Sequence, residues 1–235
     1  MNNQKYVGCF DILGFKSIVE TAELEWVVEI FELVTKKIFS SSQYSLAWGR
    51  EPSIKYRIFS DTVFFWTEDM SEDSFFELVI FSSHLIGSCL NTGICLRGAL
   101  AKGELHASDE ILVGKAIIKA YQMEQLQQWA GCWVDPELVS DEMLKKEVER
   151  CTPKYLMKYD IPTKNGVVKD QYVINWSSIS LASSLFQNNS MEESVNQAFH
   201  WVSDYTDKSV EEKKKNTLDY LVTARKEWLK SAKKS

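Results

Sequence analysis

Short apolar runs alternate with amphipathic stretches along most of the chain. Lys5 to Asp11 (KYVGCFD) reads as a buried first strand that ends in an acid. Ile12 to Lys16 is a short turn containing Gly14. Glu23 to Phe39 puts Trp26, Val27, Ile30, Phe31, Val34 and Ile38 on one helical face. Ser40 to Pro52 is a polar loop. Ile54 to Phe59 and Thr62 to Trp66 are β-rich runs around Ser60-Asp61, the pattern of a hairpin. Ser71 opens a helix with Glu72 and Asp73 in its first turn, and Asn91-Thr92-Gly93 closes it.

Ile94 to Leu105 is the next strand. Ala107 to Glu110 is a turn, and Ile111 to Val113 leads into a helix from Gly114 to about Gln128. Ile117, Ala120, Tyr121 and Glu124 share helical spacing, which predicts a core-facing side; Glu124 with Gln125 can equally belong to an exposed face. Cys132 to Val134 is a short strand, followed by a helix from Asp141 to about Glu149. Lys154 to Ile161 and Gln171 to Trp176 can pair through a turn at Asn165-Gly166. From about Met191 the chain reads as two polar amphipathic helices with a Lys-rich tail. Strands alternate with helices, but the central pair is a hairpin, which argues against a doubly wound parallel sheet. The order predicts an α+β fold with a ferredoxin-like βαββαβ core. The expected division is a catalytic domain over 1–180 and a helical extension over 181–235, packed on that domain or at a dimer interface.

Composition narrows this picture without redirecting it. The chain has 235 residues, 45% hydrophobic and 26% charged, enough for one sizeable core and unlike a disordered chain. A net charge of -6 argues against broad attraction to nucleic acid. The five cysteines form no CxxC pair, so neither a disulfide framework nor a zinc site is indicated. Cys9, Cys89 and Cys95 lie in apolar runs and read as buried thiols. The segment MNNQKYVGCFDILGF lacks a basic region followed by an apolar one, as a secretory signal has. The longest apolar region, Phe75 to Leu90, is interrupted by Glu77, Ser82, Ser83 and His84. The expectation is a cytoplasmic protein with no membrane partner.

Candidate chemistry concentrates in a few segments. In FDILGFK, Asp11 ends a buried strand and a Gly turn follows. Such a turn can aim backbone N–H groups at phosphates while the acid holds a divalent metal; a helix-capping Asp is the alternative. Asp61 at the hairpin tip is either a turn residue or a second metal acid. In a ferredoxin-like sheet the first strand and that hairpin are neighbours, so Asp11 and Asp61 can converge. Arg97, in the apolar strand LRGALAKGE, needs a partner: a structural carboxylate or a phosphate at the site edge. His84, His106 and His200 have no metal-ligand partner at i+3 or i+4.

The segments CFDILGFK, YRIFSDTVFF, LRGALAKGE and GKAIIKAYQMEQ resemble, in order, the motifs of the class III adenylate/guanylate cyclase domain over roughly residues 5–130. Asp11, Gly14 and Phe15 match the family's Asp…Gly-Phe-Thr, with Lys16 for the Thr. Asp61 matches its second metal acid, with Ser60 for the usual Gly. Arg97 and Gly103 match its Arg-x-x-x-x-x-Gly strand, and Gly114, Ala120 and Glu124 match its Gly…Ala…Glu helix.

The resemblance implies that Asp11, Asp61 and the carbonyl of Ile12 hold two Mg²⁺ or Mn²⁺ ions that cyclise a nucleoside triphosphate. It implies that Leu13, Gly14, Phe15 and Lys16 cradle phosphates, with Arg57, Arg97 and Tyr121 as further substrate contacts. It also implies a head-to-tail homodimer with sites shared between subunits. Positions that usually supply a transition-state Asn and Arg read Ile118 and Gln122. The base-reading Lys is replaced by Arg57 and the base-reading acid by Ile111. This pattern is similar to the bacterial pyrimidine cyclases of Pycsar antiphage systems, which make cyclic CMP or cyclic UMP for a separate effector. Arg57, donor-only, suits O4 of uracil better than the amino group of cytosine. The same departures leave a second expectation: a degenerate cyclase-like domain that binds nucleotide or protein without turnover.

Overall fold

In the computed structural model, residues 3–43, 53–150, 154–177, 189–200 and 208–232 are described, with backbone only for 147–150, 228, 231 and 232. The expected loop beyond Gln43, Cys151, Trp201, Tyr205 and the side chain of Trp228 fall outside them. The first strand, β1 (Gln4–Ile12), lies between β3 (Thr62–Trp66) and β4 (Leu96–Glu104) and is antiparallel to both. β2 (Lys55–Phe59) pairs with β3 across the Ser60-Asp61 turn. The order β2-β3-β1-β4 is the ferredoxin-like order expected from the element sequence.

The sheet then grows beyond that core. β7 (Gly131–Val134) joins β4 in parallel, and β9 (Gly166–Ile174) and β8 (Leu156–Thr163) complete a seven-stranded sheet. A parallel neighbour needs a crossover, and α4 (Lys115–Leu126) supplies it. A small hairpin, β5 (His106–Ala107) and β6 (Leu112–Val113), stands where only a turn was expected.

Helices cover both faces. α1 (Phe15–Thr21) and α2 (Leu24–Ser42) lead to α3 (Glu72–Leu90), whose Ser71 cap accepts from the Ser74 N–H. The sequence reading allowed only a turn before Glu23. Gly14, at φ 79°, makes α1 possible by letting the chain reverse directly after β1. α3 is long and apolar enough to cross a membrane, but here it is the buried helix of the main core. Beneath it Phe10, Phe65 and Phe81 meet edge to face, at 5.5 and 4.8 Å between centroids. Gly98 is required there: a Cβ would stand 2.4 Å from the Phe10 ring.

α5 (Asp141–Arg150), α6 (Met191–Ala198) and α7 (Lys208–Ala232) complete the described helices. Tyr220 of α7 is buried between Trp129 and Trp176. Thr217 accepts from the Ala130 N–H at 2.9 Å, and Asn216 donates to the Gln128 carbonyl at 2.7 Å. These bonds tie α7 to the loop between α4 and β7.

Candidate active site

Three stripes meet on the α4 face of the sheet. β1 presents Val7, Cys9 and Asp11 by strand alternation. β4 presents Arg97, Ala99 and Ala101, and α4 presents Ala116, Ala120 and Glu124 at every fourth residue. Small side chains let the helix lie close: Cys9, Ala101 and Ala120 form one buried cluster, and Val7, Leu105 and Ala116 another. At one end of the stripes charge replaces them, as Asp11, Arg97 and Glu124.

Register makes the first pair. Asp11 lies directly opposite Arg97, and Nη2 of Arg97 donates to Oδ2 of Asp11 at 3.0 Å. Nε of Arg97 donates to the Glu124 carboxylate, and Nη1 donates to the Gln127 carbonyl at 3.1 Å. Burial of the Arg97 and Glu124 side chains leaves 8% and 1% exposed. Gln127 is itself locked: its amide donates to the Gly98 carbonyl and its oxygen accepts from the Trp129 indole.

Asp61 arrives from the neighbouring turn. β1 and β3 pair as far as Asp11 opposite Thr62, and the Ile12 N–H donates to the Asp61 carbonyl at 3.1 Å. The Ile12 carbonyl is directed to the same side, since N–H and C=O of one residue face one neighbour in an antiparallel ladder. The Asp61 side chain is near enough to Asp11 to add to the charge around it. Burial, above all, pushes the Asp11 carboxyl up to about 7. The negative charges of Glu124 and Asp61 add to this, and Arg97 opposes it. Burial also raises Glu124, against the pull of Arg97 and Gln125.

The other expected site residues have different surroundings. Leu13 is buried, its N–H donating to the Cys95 carbonyl at 2.9 Å. Phe15 packs edge-on against Phe31. Lys16 points outward and pairs with Glu20 at 3.7 Å. In the turn after Asp11, therefore, Leu13 and Phe15 serve the core. Arg57 donates through Nη2 to the Ser108 and Asp109 carbonyls at 2.6 and 2.8 Å, so it holds the β5–β6 tip against β2. Tyr121, expected on the core side of its helix, is 47% exposed. Arg97, read as a possible phosphate contact, gives its guanidinium to protein acceptors instead.

Asp11, Ile12, Asp61 and Arg97 thus come together; Arg57, Lys16 and Tyr121 stand outside that network. Glu124 and Gln127 belong to it; the sequence reading makes Glu124 a helix-face and motif residue but gives it no role in the site, and it does not single out Gln127. The signal was present: a buried Arg needs a counter-charge, and Glu124 follows Ala116 and Ala120 on one helical face. A cleft of about 570 Å³ lies at the other end of β1, lined by Asn3, Gln4, His106, Lys115 and Ile118, away from Asp11 and Asp61.

Among the described residues no three or more His, Cys, Asp or Glu side chains form a ready metal cage. Two neighbouring carboxylates and a strand-end carbonyl are hard oxygen donors, of the kind that holds Mg²⁺ together with substrate phosphates. Asp11, Asp61 and Glu124 outnumber the single nearby Arg97, so the donor set fits a divalent cation.

No protein-family model matches the chain, and no curated protein matches it in sequence. Solved structures do. The catalytic core of a rhodopsin-guanylyl cyclase with converted specificity, in complex with ATPαS, is 17% identical, with a TM-score of 0.52 over 73% of this chain and 95% of that one. The fold is the class III cyclase fold. The dimeric guanylyl cyclase domain of the RhoGC fusion protein from the fungus Blastocladiella emersonii is 14% identical, covering 73% of this chain and 96% of that one, with a TM-score of 0.49. The class III cyclase fold agrees with the motif order read from the sequence. It accounts for the mixed sheet with helices on both faces.

Proposed function

We propose that this chain is a divalent-metal-dependent nucleotidyl cyclase, forming a 3′,5′-cyclic nucleotide and pyrophosphate from a nucleoside triphosphate. The observation that carries the reading is the placement of Asp11 and Asp61 at the adjoining ends of β1 and the β2–β3 turn, joined by the bond from the Ile12 N–H to the Asp61 carbonyl. Asp11 is buried and Asp61 adds negative charge beside it, and that repulsion is relieved by a bound cation. Asp11, Asp61 and the Ile12 carbonyl would hold Mg²⁺ or Mn²⁺, two ions per site. Such ions lower the pKa of a bound hydroxyl and neutralise a leaving pyrophosphate.

The chain's own residues orient the rest. Gly14 opens the turn that presents backbone to phosphate oxygens. Arg97, clamped by Glu124, pairs with the Asp11 carboxylate in the metal-free protein. Residues 1–180 act as the catalytic unit and 181–235 as its extension. Exposed Ile111, Val113, Ile118 and Tyr121, on β6, α4 and the segment before them, support a second copy docking head to tail there.

A pyrimidine triphosphate, UTP ahead of CTP, is the proposed substrate. Its support is Arg57, Ile111, Ile118 and Gln122 at positions where purine cyclases carry base-reading and transition-state groups. The product would be a cytoplasmic messenger for a separate effector in antiphage defence, a role resting on the likeness of GKAIIKAYQME to the Pycsar enzymes. The test is incubation of purified protein with each of the four triphosphates and Mn²⁺, with products resolved by mass. One cyclic pyrimidine nucleotide is expected. Loss of the metal acids removes several kcal/mol of charge stabilisation, so Asp11→Ala and Asp61→Ala should each lower turnover about 10³-fold with the circular dichroism unchanged. Exposed Ile118 favours one other reading, a domain that binds nucleotide without turnover. Tight triphosphate binding with no product from any of the four would establish it instead.

A further inference from the structure

We infer that Arg97 is a built-in counter-cation of Asp11. It neutralises that carboxylate in the metal-free protein and yields it to a divalent ion, while Glu124 and the Gln127 carbonyl retain the guanidinium. This rests on the metal site proposed above.

The geometry is graded in the way such an exchange requires. Arg97 makes three hydrogen bonds, one from each nitrogen, to Asp11, Glu124 and Gln127. The Asp11 side chain is 14% exposed and Glu124 only 1%. An ion from solvent therefore meets Asp11 first and does not reach Glu124. A buried guanidinium with no partner would be strongly unfavourable. Arg97 avoids that state, because releasing Asp11 leaves it a charge-assisted bond to Glu124 and the bond to Gln127. Gln127 cannot drift away, being held by Gly98 and Trp129. Without Glu124 the guanidinium would depend on Asp11 and would compete with the ion for it.

A purely structural Arg97–Glu124 pair makes a different prediction, and Mn²⁺ binding to the nucleotide-free protein separates the two. Free Mn²⁺ is followed by electron paramagnetic resonance for the wild type, Glu124→Gln, and the double variant Arg97→Met/Glu124→Met. Glu124→Gln should weaken Mn²⁺ binding at least fivefold. The double variant removes the competing cation without stranding a buried charge, and should tighten binding at least fivefold. The apolar pair keeps side-chain volume, so it reports even where Glu124→Gln does not fold. Affinities within twofold of wild type, or shifts of the opposite sign, overturn the inference. Wild-type protein that binds no Mn²⁺, or Asp11→Asn that binds it as well as wild type, removes the metal site itself and the inference with it.

Discussion

The two faces of the central sheet are built on opposite plans. On the α3 face, Phe10, Phe65, Phe81 and Leu85 are fully or almost fully buried and pack aromatic edge against aromatic face. On the α4 face the contacts are Cys9, Ala101 and Ala120, and the row ends in Asp11, Arg97 and Glu124. Large apolar side chains contribute most to stability through the water they exclude. A buried ion cluster contributes little, and apolar residues of equal volume would often serve as well. The first face is therefore explained by folding. The second calls for another reason, and the placement of Asp61 beside the end of β1 supplies one.

That contrast can be broken most forcefully on the apolar face. Phe10→Ala should destabilise the protein by about 3–5 kcal/mol, read from urea unfolding, because neither Phe65 nor Gly98 can fill the space. A loss below about 1 kcal/mol would show that this face is loosely packed. Acid provides the next test, since each face carries a buried titratable group. Burial in α3 holds the His84 imidazole down at about 4. The unfolded chain protonates it first, so its contribution is complete above pH 6.5 and is lost as pH falls towards 4. The loss is about 3 kcal/mol at most, and His84→Gln should flatten that slope in a stability-against-pH series.

Asp11 has the opposite sign. Its carboxyl is raised, so the folded, metal-free protein takes up a proton near pH 7 while the unfolded chain does so near its ordinary value. Stability from this group therefore grows as pH falls from 7 towards 4. Asp11→Asn should melt higher than wild type at pH 8 without metal, and the gain should vanish by about pH 4. A gain that persists there would mean that charge is not the cause. The smallest effect concerns the link from α7 to the loop that holds Arg97. Asn216→Ala removes one hydrogen bond to the Gln128 carbonyl and should cost about 1 kcal/mol in calorimetry. No change would show that Tyr220 alone anchors the helix.

Much of this molecule could be read before its structure was seen. The hairpin at Ser60-Asp61, the cap at Ser71 and the apolar face of α2 follow from spacing and turn chemistry, which act over a few residues. The element order was enough for the ferredoxin-like core. Asp11 and Asp61 could be nominated because both end apolar runs. Arg97 was identified as needing a partner, but its choice between carboxylate and phosphate was open. Tyr121 and Glu124 were harder. They share a helical face by spacing, yet Tyr121 is exposed and Glu124 is sealed, because the packing angle of α4 on β4 decides which edge of that face is covered.

By itself the sequence determined the local periods, the caps and turns, and the residue types able to carry metal and phosphate chemistry. These depend on contacts between near neighbours along the chain. Only the tertiary structure decided that Asp11 stands opposite Arg97, that Glu124 completes the pair, that the Asp61 turn is bonded to the end of β1, and that Arg57 braces the β5–β6 hairpin. Those relations depend on register and on helix placement across distant segments, where small residues such as Ala120 and Gly98 determine how closely the backbones can approach.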